Sequence, residues 1–204
     1  MKTLSSHIKE ALIKKDTKIK TWNYYPKKFN ELRNLINQLL EERGQDADLN
    51  DINTSAITNM SYLFSNLKLH NIDISEWDVS NVENMRGMFN WCENFNSDLS
   101  NWNVNNVKYM DEMFYSCKKF NSDLSNWNVS NVKDMEGMFY RCKNFKSDLS
   151  NWDVSNIEDM LHMFYDCENF NSDLSNWDVN KVKNMKGMFT GCTSLKNKPK
   201  WYKE

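Results

Sequence analysis

The chain has 204 residues, 40% hydrophobic and 13% aromatic, with only 2 Pro and 5 Gly. This excludes a disordered or linker-rich polypeptide and allows a sizeable core. The net charge of −2 gives no electrostatic case for nucleic acid or an anionic membrane as partner, and no apolar run reaches the length of a membrane span.

The charge is uneven: residues 1–50 carry 10 Lys/Arg against 7 Asp/Glu, and the remainder carries 16 against 21. The opening MKTLSSHIKEALIKKDTKIK is interrupted by Lys and Glu every few residues, so it lacks the apolar core of a signal peptide. As it stands the chain reads as cytoplasmic, or as displayed on the cell surface if a leader has been removed. A weak amphipathic helix can be drawn through Leu4, Ile8, Leu12 and Ile13. A stronger one follows. Pro26 suits its first position, Phe29, Leu32, Leu35, Ile36, Leu39 and Leu40 carry the helical spacing, and Gly44 closes it as a left-handed residue. Residues 1–50 therefore read as an N-terminal helical cap, and residues 51–204 as a solenoid of six repeats with a short tail.

The repeat is exact in its columns. Trp recurs at 77, 102, 127, 152 and 177, Cys at 92, 117, 142, 167 and 192, and Phe at 64, 89, 114, 139, 164 and 189, always 25 residues apart. Two Met columns, from Met60 and from Met88, run alongside. In the first unit Ile52, Ile57, Met60, Leu63 and Phe64 take the Trp, Val, Met, Met and Phe places. Within one unit, Val132, Met135, Met138, Phe139 and Cys142 are spaced by 3, 3, 1 and 3. This predicts a helix of about three turns with Ser130 or Asn131 as its N-cap. Phe145 to Asn151 predicts a short extended segment and a turn. No such unit buries its own apolar face, but stacked units do. The expected fold is an α/β repeat solenoid, a right-handed leucine-rich-repeat-like coil of short strands and helices. Near the end, Leu195 takes the Phe place and Tyr202 the Trp place, and Pro199 is placed to block edge pairing. End-to-end self-association through this last coil is a further expectation.

The phrases SNVENMRGMFNWCENFNSDLSNWNV and SNVKDMEGMFYRCKNFKSDLSNWDV resemble the repeat of the BspA-like leucine-rich-repeat surface proteins, and DADLNDINTSAITNMSYLF resembles the segment that opens their arrays. The resemblance covers about residues 46–195. It implies a leucine-rich-repeat solenoid, adhesion or protein binding, and no catalytic residues.

Several columns offer chemistry. Five Cys, with no CxxC pair and no His at matching spacing, read as small buried hydrophobes rather than zinc ligands. Such unpaired thiols suit a reducing compartment. The Asp column at 73, 98, 123, 148 and 173 admits calcium bridging between coils, but bonding to turn amides or to neighbouring Ser and Asn is favoured. Asn101, Asn126, Asn151 and Asn176 suggest a similar ladder. The Trp column reads as packed, its alternative being an aromatic platform for sugars or bases. His7, His70 and His162 have no partner spacing, and phosphate-loop, GxSxG and HExxH motifs are missing, so neither enzyme nor cofactor is expected.

Function is expected where the units differ. Tyr115, Tyr140 and Tyr165 form one such column, Trp91 and Arg141 stand in the next, and Lys146 stands in a third with Asn96, Asn121, Asn171 and Lys196. Tyr, Trp and Arg dominate binding hot spots. The expected partner is another protein, bound by a surface or adhesion module, or alternatively by an intracellular inhibitor that occludes its target.

Overall fold

The computed structural model describes residues 21–203; the expected helix through Leu4, Ile8, Leu12 and Ile13 lies outside them. One helix, α1 (Phe29–Arg43), buries Leu32, Ile36, Leu39 and Leu40. Pro26 is not its first residue. Lys28 is the extended cap, and the Glu31 carboxylate accepts the Lys27 N–H at 2.8 Å, so the chain turns into the helix three residues after the proline. Gly44 ends α1 at φ 88° and ψ −177°, a positive-φ extended conformation rather than the left-handed helical one, and donates its N–H to Leu40 O. Arg43 pairs with Asp51 at 3.0 Å, tying the end of α1 to the start of the repeats.

The helix expected in each repeat is absent. Each repeat is a chain of four-residue turns. In the unit after Trp127, N–H groups bond back three residues in Val129–Val132, Met135–Met138, Gly137–Tyr140, Phe139–Cys142 and Cys142–Phe145. Both ends of such a turn face the same way, so the inward residues recur every three positions and imitate a helical face. Two features rule out a helix. Gly137 and Arg141 have φ of 56° and 58°, as the third residue of a type II turn requires. In addition, the backbone N–H groups alternate in direction. Met138, Tyr140 and Cys142 bond locally, whereas Met135, Gly137, Phe139 and Arg141 bond forward to Asp159, Leu161, Met163 and Tyr165 of the next repeat at 2.7–3.0 Å.

That forward pattern recurs in the first five repeats, giving four columns of five hydrogen bonds, all donated toward the C-terminal neighbour. The expected strand at Phe145 to Leu149 is also absent. The parallel pairing is one residue wide and lies elsewhere, through Asn59, Asn84, Tyr109, Asp134, Asp159 and Asn184. On the Leu149 side a serine replaces the strand partner. The N–H groups of Leu99, Leu124 and Leu149 donate to the hydroxyls of Ser122, Ser147 and Ser172 at 2.9 Å.

The core is a set of ladders running along the stack. Phe64, Phe89, Phe114, Phe139, Phe164 and Phe189 stack at 5.3–5.9 Å with planes within 10°. Phe95, Phe120, Phe145 and Phe170 form a second ladder, each ring 4.0–4.2 Å from a ring of the first. The Trp column is buried rather than a platform, and each indole N–H reaches the Leu-column carbonyl of the preceding repeat, as Trp152 does to Leu124 O at 3.0 Å. The Cys column is buried and free, and each thiol donates to the Phe carbonyl of the preceding repeat, as Cys142 does to Phe114 O at 2.9 Å. Burial pushes the Cys117, Cys142 and Cys167 thiols well above the ordinary range.

At the C-terminal end the backbone keeps register, with Tyr202 N–H on Pro199 O as Trp177 N–H is on Leu174 O. The indole place is taken one residue early. Trp201, not Tyr202, stacks on Trp177 at 6.3 Å and donates to Leu174 O, while Tyr202 packs edge-on against Phe189 at 5.0 Å. Pro199 is buried in the Leu column, where it presents no N–H.

Candidate partner-binding surface

The Asp column is turn chemistry. Asp73, Asp98, Asp123, Asp148 and Asp173 each accept the N–H of the Ser two residues on at 2.9–3.1 Å. Asp123 and Asp148 also accept the hydroxyls of Ser147 and Ser172 of the next repeat. These bonds, the Ser125 and Ser150 amides first, hold the two carboxyls below the usual range. Among the described residues no three His, Cys, Asp or Glu side chains gather as metal ligands. The Asn ladder runs through Asn81, Asn106, Asn131 and Asn156, whose amides donate to carbonyls of the preceding repeat, while Asn101, Asn126, Asn151 and Asn176 are exposed.

On the turn side, Tyr115, Tyr140 and Tyr165 form a continuous stack, with centroids 4.4 and 4.8 Å apart and planes within 10°. Trp91 continues it at 5.9 Å from Tyr115 and is 44% exposed. The Arg141 guanidinium lies 5.2 Å from the Tyr140 ring centre and 3.5 Å from Asp166. Burial, then the neighbouring Tyr140, raises the Tyr115 hydroxyl. The structure thus brings together Trp91, Tyr115, Tyr140, Arg141 and Tyr165 of the six candidate partner-binding residues. Lys146 is separate. It lines a shallow polar depression with Asn96, Lys119, Asn121, Asn144 and Asn169, and its N–H bonds to Asn121 Oδ1 at 3.0 Å.

Trp91 and Arg141 occupy a column whose members all have positive φ: Asn66 (62°), Trp91 (61°), Ser116 (60°), Arg141 (58°), Asp166 (57°) and Gly191 (78°). Large side chains there hold a conformation that costs about 1–2 kcal/mol for a residue with a Cβ. The Ser116 hydroxyl is buried there without a hydrogen-bond partner among the described residues.

Periodicity at 25 residues hides a further set. The other positive-φ column reads Tyr62, Gly87, Glu112, Gly137, His162, Gly187, so that glycine alternates with a larger residue. A Cβ on Gly87 would sit 2.2 Å from the Tyr62 ring, and one on Gly187 would sit 2.6 Å from the His162 ring; at Gly137 the nearest ring atom, of Tyr115, is 3.4 Å away. Tyr62 joins a polar cluster in which Arg86 Nε donates to its hydroxyl at 2.9 Å and to Asp111 Oδ2 at 2.8 Å, and in which its own O–H reaches Glu112 at 3.3 Å. His162 lies edge-on to Tyr140 and Tyr165 at 6.2 and 5.4 Å. The signal available in the sequence was the 50-residue spacing of Gly87, Gly137 and Gly187.

The sequence matches the family described as "Mycoplasma protein of unknown function, DUF285" over residues 28–146 and again over 122–203, and the chain belongs to that family. No curated protein and no solved structure matches it. Among the described residues no helix is long and apolar enough to cross a membrane.

Proposed function

We propose that the protein is a non-enzymatic repeat scaffold that binds another protein, its stacked units forming a right-handed solenoid of the BspA-like leucine-rich-repeat type. The reading rests most on one observation: the stack of Tyr115, Tyr140 and Tyr165, extended by Trp91 and Arg141 at strained backbone positions, makes a rigid aromatic surface across four repeats. Rigid Tyr and Trp side chains lose little entropy on contact, and Arg adds hydrogen bonds and charge. Adhesion at a cell surface is one setting. The second setting is a reducing compartment, where the protein would occlude a partner; it is favoured by the five buried thiols, each of which needs its proton to bond a carbonyl.

The test is capture of a partner from the source cells on the wild-type chain, compared with Trp91→Ala/Arg141→Ala and with Lys146→Ala. Loss on the double variant alone, with unchanged circular dichroism and melting, supports the stripe. Equal capture by all three chains overturns it, and loss on Lys146→Ala alone moves the site to the Asn/Lys depression.

A further inference from the structure

We infer that the C-terminal edge of the repeat stack is a second docking surface, independent of the aromatic stripe, for an extended acidic segment of a partner protein. In the five upstream repeats, the N–H groups at the places of Met160, His162, Phe164 and Asp166 each donate to a carbonyl of the next repeat. The matching N–H groups of Met185, Gly187, Phe189 and Gly191 have no acceptor among the described residues. Val179, Val182, Met185 and Leu195 are only partly buried, whereas Val154, Ile157, Met160 and Phe170 in the repeat before are within 1% of full burial.

The other edge of the same repeat is sealed. Pro199 replaces the Leu whose N–H would need a serine of a following unit, and Trp201 and Tyr202 cover Trp177 and Phe189. Among the described residues only the turn edge is left open.

The chemistry of that edge selects its occupant. A β-strand edge alternates donors with acceptors, but here the backbone reverses sign of φ, so all four groups are donors. Rows of amides in such a backbone favour anionic oxygens. Charge agrees. Residues 177–204 carry seven Lys against two acidic residues, whereas residues 51–176 carry nine basic against nineteen acidic. Lys181, Lys183, Lys186, Lys196, Lys198, Lys200 and Lys203 are all exposed. Two copies meeting through this edge would oppose donor to donor and cation to cation. The acidic flank of a second copy is a poor occupant too, because its Asp column is already bonded. Its first repeat does present the carbonyls of Asn59, Ser61, Leu63 and Ser65 with no backbone donor among the described residues, but α1 lies against that end, with Leu32 and Ile36 buried and Arg33 Nη1 bonded to Tyr62 O at 2.6 Å. An unfolded acidic segment brings free carboxylates and carbonyls together.

The probe is a fluorescein-labelled peptide of alternating Asp and Gly, followed by anisotropy and by amide exchange of the whole chain. In the free chain, the amides of Met185, Gly187, Phe189 and Gly191 should exchange faster than those of Met160, His162, Phe164 and Asp166, and a saturating peptide should slow them about tenfold or more. The Lys186→Glu variant, changed at an exposed side chain, should keep the wild-type fold and weaken binding about tenfold at low salt. Binding without slower exchange at the four amides overturns the proposal. So does equal binding of a Lys-Gly peptide, tighter binding of a single-stranded oligonucleotide, or protection that appears with protein concentration alone. Because the peptide is read at the edge, failure of the aromatic stripe to bind its partner leaves this result unaffected.

Discussion

Tyr115 and Tyr140 face each other with ring centroids 4.4 Å apart and planes 4° from parallel, closer than any neighbouring pair in the Phe64 ladder. The contact joins two repeats at the surface rather than within the core. A double-mutant cycle with Tyr115→Ala and Tyr140→Ala should therefore give a coupling of about 0.5–1.5 kcal/mol in urea unfolding, the range for aromatic pairs. A coupling indistinguishable from zero would show that the rings lie side by side without stabilising the seam.

Ser116 carries two penalties at one position: φ of 60° and a buried hydroxyl with no partner among the described residues. Glycine removes both and adds back some unfolded-state entropy. Ser116→Gly should stabilise the fold by about 1 kcal/mol, raising Tm by about 2–4 °C for a domain of this size. A lower Tm would mean that the hydroxyl has a partner in solution.

The thiols should be unreactive in the folded protein. Burial raises all five, Cys92 and Cys192 to about 12 and the inner three well above the ordinary thiol range, and the thiolate is the reactive form. Ellman's reagent at neutral pH should label native protein slowly, beginning at Cys192, the most exposed at 9%, and label all five on unfolding. Rapid reaction of Cys117 or Cys142 in the native state would show that the stack opens locally.

Asp111 sets a pH dependence. Burial, then the charge of Asp134, pushes its carboxyl up to about 6 against the pull of Arg86. Its folded value lies above its unfolded one, so the native state holds the proton longer and stability falls as pH rises from about 4 through about 6. The loss is on the order of 2–3 kcal/mol at most. Asp123, Asp148 and Asp173 act in the opposite sense, since their lowered values make them lose stability as pH falls below the ordinary carboxylate range. Asp111→Asn should flatten urea-derived stability between pH 4 and about 6, and an unchanged slope would assign it to Asp134 or Glu136, which are also raised by burial.

The inward and outward columns were legible because every repeat faces the same neighbours, so Trp, Val, Met, Phe, Cys and Leu recur wherever burial is complete. Local conformation was not. Spacing by three is common to a helix and to a run of four-residue turns, and Val132, Met135, Met138 and Cys142 satisfy both. What separates them is the exposed Lys143, four residues after the buried Phe139, together with a glycine at 137 in the middle of the run. Lys146 varies between repeats as Tyr140 and Arg141 do but stands in a separate column, and variability carries no information about which face of a turn a residue occupies. The one-residue shift of Trp201 was hidden for another reason: a long side chain can reach a place that its backbone does not occupy.

The alternation of Tyr62, Gly87, Glu112, Gly137, His162 and Gly187 has a consequence for how such an array can change length. Excising one repeat sets glycine over glycine, or Glu112 against the ring of Tyr62 or of His162. Excising two returns Gly87 to a neighbour of the same kind, with His162 in the place of Glu112. The module that can be duplicated or lost without repair is therefore a pair of repeats, and descent by pairs would leave its mark as even-numbered differences in repeat count between relatives.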